Sequence, residues 1–134
     1  MTHKTFSALA IDDDELTLEF YRDYFSMNHV DLVTVKSAED GLMLLSERDF
    51  DVLILDLCLE GGDLMEGRRV LQKVAREYPR LEVVLVTAHC EDPEEAAFLE
   101  LGAHTVLRKP CTMRAVFETA EKAAASSKKR FTQR

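Results

Sequence analysis

The chain has 134 residues, of which 46% are hydrophobic and 31% are charged, and this composition is typical of a single globular domain. Its net charge of −8 argues against a general binder of nucleic acids or membrane surfaces. No apolar run approaches the roughly twenty residues that a membrane-spanning helix needs, and the N-terminus shows no signal peptide. The three cysteines, an odd number, are typical of reduced thiols. Together these features predict a cytoplasmic protein.

Strand-like and helix-like segments alternate five times along the chain. The patterns predict strands over 6–11, 31–35, 51–56, 82–87 and 104–108, and helices over 14–27, 37–48, 66–78, 92–101 and 112–126. Such alternation predicts an α/β fold, a single doubly wound (βα)5 domain with a five-stranded parallel sheet. We expect the domain to cover residues 1–126, and the polar, basic segment 127–134 to be a frayed tail or the start of a linker.

Local signals support the helix boundaries in chain order. Asp14 is expected to cap the first helix, and Ser37 begins a capping box before the second. Pro79 ends the third helix, Asp92 caps the fourth, and Gly102 follows the fourth as a C-cap. Apolar stripes on the first two helices are expected to cover the sheet: Leu18, Tyr21 and Phe25, then Ala38, Leu42 and Leu45.

Four of the predicted strands end in residues that carry chemistry. Asp12 and Asp13 follow the first strand, Asp56 ends the third, Thr87 ends the fourth, and Lys109 follows the fifth. In open α/β sheets, ligands bind outside the carboxyl ends of the strands, so these side chains are expected to share one crevice. Carboxylates supply oxygen ligands for Mg²⁺, which offsets their repulsion of a phosphoryl group. Asp56 is the candidate nucleophile, and Thr87 and Lys109 are the candidate groups for phosphoryl oxygens.

These motifs resemble the receiver domain of bacterial two-component response regulators, in the CheY-like superfamily. The resemblance runs from residue 5 to residue 126 and rests on Asp12-Asp13, Asp56, Thr87-Ala88, Gly102-Ala103 and Lys109-Pro110. It implies a flavodoxin-like topology. It also implies a phosphorelay switch rather than an enzyme, with self-phosphotransfer and autodephosphorylation as its only reactions.

The resemblance further implies roles for single residues. Asp56 would accept a phosphoryl group from a phosphohistidine on a sensor histidine kinase or a histidine phosphotransfer protein. Asp13, Asp56 and the backbone carbonyl of Cys58 would bind Mg²⁺ directly, with Asp12 acting through water. Thr87 and Lys109 would hold the phosphoryl oxygens.

The output implied by the resemblance is altered binding of a downstream output domain or protein partner, without direct nucleic-acid binding by this domain. The expected surface is formed by helix four, strand five and helix five, and it is also the candidate surface for a homodimer. Candidate residues near this surface are Ala96, Leu99, Arg108, Met113 and Phe117, and some of these are expected to belong to the core. A second expectation is that the chain is a fragment of a larger regulator with an output domain beyond residue 134.

Three features depart from the family pattern. The loop 57–67 lacks the usual proline and is longer than usual. Val106 stands where receivers carry an aromatic ring, which suggests a readout through backbone and loop shifts. Cys58 and His89 occupy positions that tune autodephosphorylation in the family. Redox sensing by the thiols of Cys58, Cys90 and Cys111 is disfavoured, because nothing in the sequence indicates a lowered thiol pKa.

The alternative function is a phosphohydrolase of the haloacid dehalogenase type. That class places its nucleophile after the first strand in Asp-x-Asp-x-Thr/Val, whereas the segment here reads Asp12-Asp13-Asp14-Glu15-Leu16. It would also leave Asp56 without a role. The sequence therefore favours the receiver.

Overall fold

The computed structural model describes residues 5–56, 64–88 and 92–132. Five parallel strands form one sheet: β1 (Ser7–Ile11), β2 (Asp31–Val35), β3 (Val52–Asp56), β4 (Glu82–Thr87) and β5 (Thr105–Arg108). Their spatial order is β2-β1-β3-β4-β5. This order reverses direction next to β1, which is the doubly wound arrangement that the alternation of elements predicts.

Five helices connect and follow the strands: α1 (Glu15–Met27), α2 (Ala38–Glu47), α3 (Leu64–Glu77), α4 (Asp92–Glu100) and α5 (Met113–Thr132). The strand ends agree with the sequence prediction to within one residue, and α3 begins two residues earlier than predicted. Within the part of the chain that the structure describes, no helix is long and apolar enough to cross a membrane.

The helix α5 extends past residue 126, where a frayed tail or the start of a linker was expected. The helix α5 continues to Thr132. Ser127 is buried, and its hydroxyl donates a hydrogen bond to the backbone carbonyl of Arg80 at 2.6 Å. Basic and polar composition suggested an unpacked end, but the segment 113–132 contains neither glycine nor proline to stop the helix. The domain boundary at residue 126 therefore falls inside α5.

The core has two layers, because alternate side chains of each strand point to opposite faces of the sheet. One layer contains Leu9, Ile11, Leu53, Leu55, Val83 and Leu85 under α2, α3 and α4. The other contains Ala8, Ala10, Val52, Ile54, Val84 and Val86 under α1 and α5. The three central strands are buried on both faces, which holds their carboxyl ends in fixed positions.

The helix signals of the sequence correspond to local contacts. The hydroxyl of Ser37 accepts a hydrogen bond from the backbone amide of Asp40 at 3.1 Å, which caps α2. Gly102 adopts a φ of +119° just after α4, a conformation that favours glycine. The apolar stripe of α1 is buried at Leu18, Tyr21 and Phe25, as predicted.

Candidate functional site

The polar residues at the strand ends meet at one edge of the sheet. Asp12 and Asp13 follow β1, Asp56 ends β3, Thr87 ends β4, and Lys109 follows β5. These four strands are consecutive neighbours in the sheet and are all parallel. The structure therefore brings together the five residues that the sequence singled out.

Three carboxylates form the centre of the site. Asp12, Asp13 and Asp56 each offer an oxygen atom, and these atoms all lie within 4.8 Å of one another. Asp12 and Asp56 are only 2% and 6% exposed, whereas Asp13 is exposed. The cluster therefore has a buried floor and one side open to an incoming group.

Backbone hydrogen bonds fix the orientation of Asp12. Its Oδ1 accepts a hydrogen bond from the backbone amide of Asp14 at 2.9 Å. Its own amide donates to the carbonyl of Val35 at 3.2 Å, which extends the pairing of β1 with β2 by one residue. The second carboxylate oxygen of Asp12 is thereby left to face Lys109.

Lys109 supplies a positive charge beside the buried carboxylates. Its Nζ lies 3.7 Å from Oδ2 of Asp56 and 3.9 Å from Oδ2 of Asp12. Its backbone amide donates to the carbonyl of Thr87 at 2.8 Å, which anchors the residue to the end of β4. Both ion-pair distances are longer than a hydrogen bond, so the ammonium group is not fixed to either carboxylate. It can therefore approach one of them or a group placed between them.

The electrostatics of the cluster indicate a place for a further cation. Burial raises the pKa of Asp12 to about 6; the hydrogen bond from the Asp14 amide opposes this, the charge of Asp56 adds to it, and Lys109 opposes it. Among the residues that the structure describes, three carboxylates and the ammonium group of Lys109 form the cluster, so negative charge is in excess when all are ionised. A divalent cation with hard oxygen ligands fits this donor set, and Mg²⁺ commonly binds through one or two carboxylates with water as the remaining ligands.

Asp14 occupies the N-cap position of α1, as the sequence predicts. Its Oδ2 accepts a hydrogen bond from the hydroxyl of Thr17 at 2.6 Å rather than from a helix amide. This bond is the main reason that the pKa of Asp14 lies below its usual value. The side chain of Asp14 thus lies at the start of the helix, and its backbone amide orients the Asp12 carboxylate by a hydrogen bond.

Several sequence-based site residues are not placed by the structure. Cys58, His89 and Cys90 lie outside the described residues. The Cys58 carbonyl as a metal ligand, and the tuning roles of Cys58 and His89, therefore stay predictions, as does any role of residues 57–63 of the long loop. Cys111 is partly buried against the core, and burial raises the pKa of its thiol, which disfavours a reactive thiol at this position.

Val106 lies in the middle of β5, paired with Leu85 of β4. It is partly buried and packs against the core layer beneath α2, α3 and α4. An aliphatic side chain wedged here has no ring to rotate between a buried and an exposed position. Its expected part in the readout of phosphorylation stays a prediction.

The candidate residues of the output surface include both exposed and buried side chains. Ala96, Leu99 and Arg108 are exposed on α4 and β5, but Phe117 is buried at 8% exposure. Its ring lies 5.0 Å from that of Phe25 in an edge-to-face contact. Aromatic rings bury large apolar areas, and this one closes the layer between α1 and α5.

Sequence reasoning missed a contact that links α4 to β5 on that surface. The guanidinium group of Arg108 lies 2.8 Å from a carboxylate oxygen of Glu95. The two residues are thirteen positions apart, a separation that no helix or strand period marks. Only the packing of α4 beside β5 reveals the pair.

Comparison with known protein families agrees with this geometry. The sequence model of the response regulator receiver domain family matches residues 8–121. The chain therefore belongs to the response regulator receiver domain family, the signalling domains of two-component systems. Receiver domains generally bind Mg²⁺ through acidic residues, and they interact with sensor kinases and output domains.

Curated relatives are longer proteins. The chain is 28% identical over 127 residues to the transcriptional regulatory protein GlrR of Escherichia coli, covering 95% of this chain and 28% of that protein. It is 30% identical over 110 residues to the response regulator protein FleR of Pseudomonas aeruginosa, covering 82% of this chain and 23% of that protein. The chain therefore spans less than a third of the length of each of these relatives.

Solved structures show the same fold. A CheY-like receiver domain protein from Methanospirillum hungatei matches with a TM-score of 0.84 at 20% identity, covering 95% of this chain and 99% of that one. A signal receiver domain from Vibrio parahaemolyticus matches with a TM-score of 0.86 at 19% identity, covering 96% and 97%. The alternative, a haloacid-dehalogenase-type phosphohydrolase, finds no support in these comparisons.

Proposed function

We propose that Asp56 is the phosphoacceptor of this receiver domain. It would take a phosphoryl group from a phosphohistidine on a sensor histidine kinase or a histidine phosphotransfer protein, in a reaction that depends on Mg²⁺. The observation that carries this proposal is the position of Asp56, buried at the end of β3 with Lys109 Nζ at 3.7 Å and two further carboxylates beside it. The same chemistry makes the domain a switch rather than a turnover enzyme.

In the proposed transfer, a carboxylate oxygen of Asp56 attacks the phosphorus atom. The new bond is O–P, the broken bond is P–N, and its electron pair returns to the imidazole nitrogen of the donor. Lys109 moves its ammonium group from the carboxylates towards the phosphoryl oxygens, and the hydroxyl of Thr87 donates a hydrogen bond to them. The reaction needs no other co-reactant, since the phosphohistidine supplies the whole phosphoryl group.

Asp12, Asp13 and Asp56 are the residues that would hold the cation, with the Cys58 carbonyl as a further proposed ligand. When bound, Mg²⁺ supplies positive charge that offsets the repulsion between carboxylates and phosphoryl oxygens. The elevated pKa of Asp12 supports this assignment, because it marks a carboxylate that the protein alone does not fully stabilise in its ionised form.

The proposed output is a change in the surface formed by α4, β5 and α5. Lys109 follows β5 directly, and its amide is bonded to the carbonyl of Thr87. A shift of either residue towards a phosphoryl group would therefore move the strand that carries Arg108, the partner of Glu95 on α4. We propose that an output domain or protein partner in the cytoplasm, or a second copy of the chain, reads this surface.

The test is phosphorylation by acetyl phosphate with and without Mg²⁺, measured by intact mass. The wild type is expected to gain one phosphoryl group only with Mg²⁺, and Asp56→Asn is expected to gain none. Asp23→Asn is a matched control, because it makes the same chemical change at an exposed position in α1 and should be phosphorylated like the wild type.

Two results would overturn the assignment. Phosphorylation of Asp56→Asn to the wild-type extent would show that another residue is the acceptor. A wild type that gains no phosphoryl group, although it binds Mg²⁺, would indicate a domain that is read in its unphosphorylated form.

A further inference from the structure

Gly41 is a buried residue in the first turns of α2, on the side that faces the sheet. A Cβ atom at this position would lie 2.8 Å from Cγ1 of Ile11, still closer to Cδ1 of Ile11, and 3.6 Å from Cγ2 of Val35. Carbon atoms in contact normally lie about 3.5–4.0 Å apart. The absence of a side chain at residue 41 is therefore what allows α2 to lie this close to the end of β1.

The backbone of Gly41 does not itself require glycine. Its amide donates to the carbonyl of Ser37 at 3.1 Å, as in a regular helix, and its φ is not positive. Glycine is less favourable than alanine in the interior of a helix, so its presence here lowers the local stability of α2. Close packing against Ile11 is the compensating gain that the structure shows.

Ile11 lies directly beneath the carboxylate cluster. It is the last residue of β1, it is 1% exposed, and it pairs with Val35 on one side and Leu55 on the other. The next residue along the chain is Asp12, and the residue after Leu55 is Asp56. A displacement of Ile11 would therefore move Asp12 through one peptide unit. It would move Asp56 through the pairing of Ile11 with Leu55.

We propose that Gly41 and Ile11 form a size-matched contact that positions Asp12 and Asp56 for the cation. Gly41 is a positioning residue in this proposal, since it touches neither the metal nor the phosphoryl group. The inference rests on the proposed function of the site, and it adds a determinant of metal affinity on a helix that supplies no ligand.

The contact leaves little room for an added methyl group. The side chain of Ile11 branches at Cβ, which restricts its rotation, and its surroundings are a closely packed core. A Cβ at residue 41 must therefore displace the side chain of Ile11, α2 or the end of β1. Changes in residues that support metal ligands typically cost about 10- to 100-fold in metal affinity.

The test measures Mg²⁺ affinity by titration calorimetry on the whole chain. Gly41→Ala is expected to bind Mg²⁺ about tenfold more weakly than the wild type, by the supporting-residue effect. Adding Ile11→Val removes the closest atom, Cδ1, and should restore affinity to within about threefold of the wild type. Such rescue by a smaller partner would not follow from a general loss of helix stability.

The matched control is Leu45→Ala, one turn further along the same buried face of α2. It removes core contacts but lies away from Ile11, so it should lower the melting temperature while leaving Mg²⁺ affinity unchanged. Equal weakening of Mg²⁺ binding by Leu45→Ala and Gly41→Ala would overturn the proposal, because affinity would then follow stability alone.

Further outcomes separate this inference from the proposed function. A wild type that binds no Mg²⁺ would overturn both, whereas Gly41→Ala with wild-type affinity beside a wild type that binds would overturn only the positioning role. If Gly41→Ala does not fold, the double variant is compared with Ile11→Val alone. The remaining contact with the γ-carbon that corresponds to Cγ1 of Ile11 predicts about threefold weaker binding in the double variant, and equal affinity would overturn the proposal.

Discussion

Asp12 stabilises the proposed metal site at a cost to the metal-free fold, and replacing it should therefore raise stability. Its pKa of about 6, compared with an ordinary value of 3.8, means that the folded protein disfavours the ionised form. At about 1.4 kcal/mol per pKa unit, the cost at neutral pH is on the order of 3 kcal/mol. Asp12→Asn removes the charge and keeps an oxygen that can accept the amide of Asp14.

We expect Asp12→Asn to stabilise the metal-free protein by about 2 kcal/mol, because burial of the polar amide group of asparagine offsets part of the gain. For a domain of this size, that gain corresponds to a rise in melting temperature of roughly 5–10 °C. The measurement is urea unfolding in the presence of EDTA at pH 7.5, followed by circular dichroism. Asp13→Asn is the control, because Asp13 is exposed and its replacement should change stability by less than about 1 kcal/mol.

The stability difference between Asp12→Asn and the wild type is expected to depend on pH. Because the folded state raises the pKa of Asp12, the wild type is free of the cost below the unfolded pKa and acquires it as the pH rises from the ordinary pKa of 3.8 to about 6. The advantage of Asp12→Asn should therefore be full above pH 6, fall to roughly a third by pH 4.5, and vanish below that. Mg²⁺ should reverse the order, since a ligand at about 100 times its Kd adds about 2.7 kcal/mol to the protein that binds it.

The reasoning would be refuted if Asp12→Asn proved less stable than the wild type in EDTA at pH 7.5. It would also fail if the stability difference between the two proteins were the same at pH 4.5 and pH 7.5, because burial of an ionised carboxylate would then not be its source.

Three further predictions concern other parts of the structure. Lys109→Met should slow phosphorylation by acetyl phosphate by about 100-fold or more, as expected for the loss of one preorganised charge, while Mg²⁺ binding measured by calorimetry persists; an unchanged rate would exclude the proposed role. Phe117→Ala should lower the free energy of unfolding by about 3–5 kcal/mol, as for other buried rings, and a loss below about 1 kcal/mol in urea unfolding would place this ring on the surface instead. Ser127→Ala should cost about 0.5–1.5 kcal/mol by removing the hydrogen bond to the Arg80 carbonyl, whereas Ser126→Ala, the control beside it, should not; equal melting temperatures for the two variants would argue against this contact.

Much of the fold was predictable because its signals are local. The apolar stripe on α1 has the period that helix geometry imposes, and β3 and β4 are continuous apolar runs. The observed bounds of these elements match the predicted bounds closely. The end of α5 was not predictable in this way. Whether Ser127 packs depends on the carbonyl of Arg80, 47 residues away, and the local composition does not indicate that partner.

The candidate site, like the fold, was predictable from the sequence only in part. Each of its residues ends or follows an apolar segment, so residue type and position along the chain were enough to select Asp12, Asp56 and Lys109. The sequence did not show which of the candidate surface residues belong to the core, as Phe117 does, because the pattern of an apolar residue on a helix is the same in both cases. The contact between Gly41 and Ile11 was missed, although an isolated glycine inside a helical pattern is a signal for close packing.

The sequence by itself determined the order of the elements and the chemical groups at the strand ends, since both follow from patterns within a few neighbouring residues. Only the tertiary structure decided how these groups meet: the strand order β2-β1-β3-β4-β5, the 3.7 Å approach of Lys109 to Asp56 and the burial that raises the pKa of Asp12. Such quantities depend on contacts between segments far apart in the chain. They are set by the packing of two core layers against one sheet, which no single stretch of sequence contains.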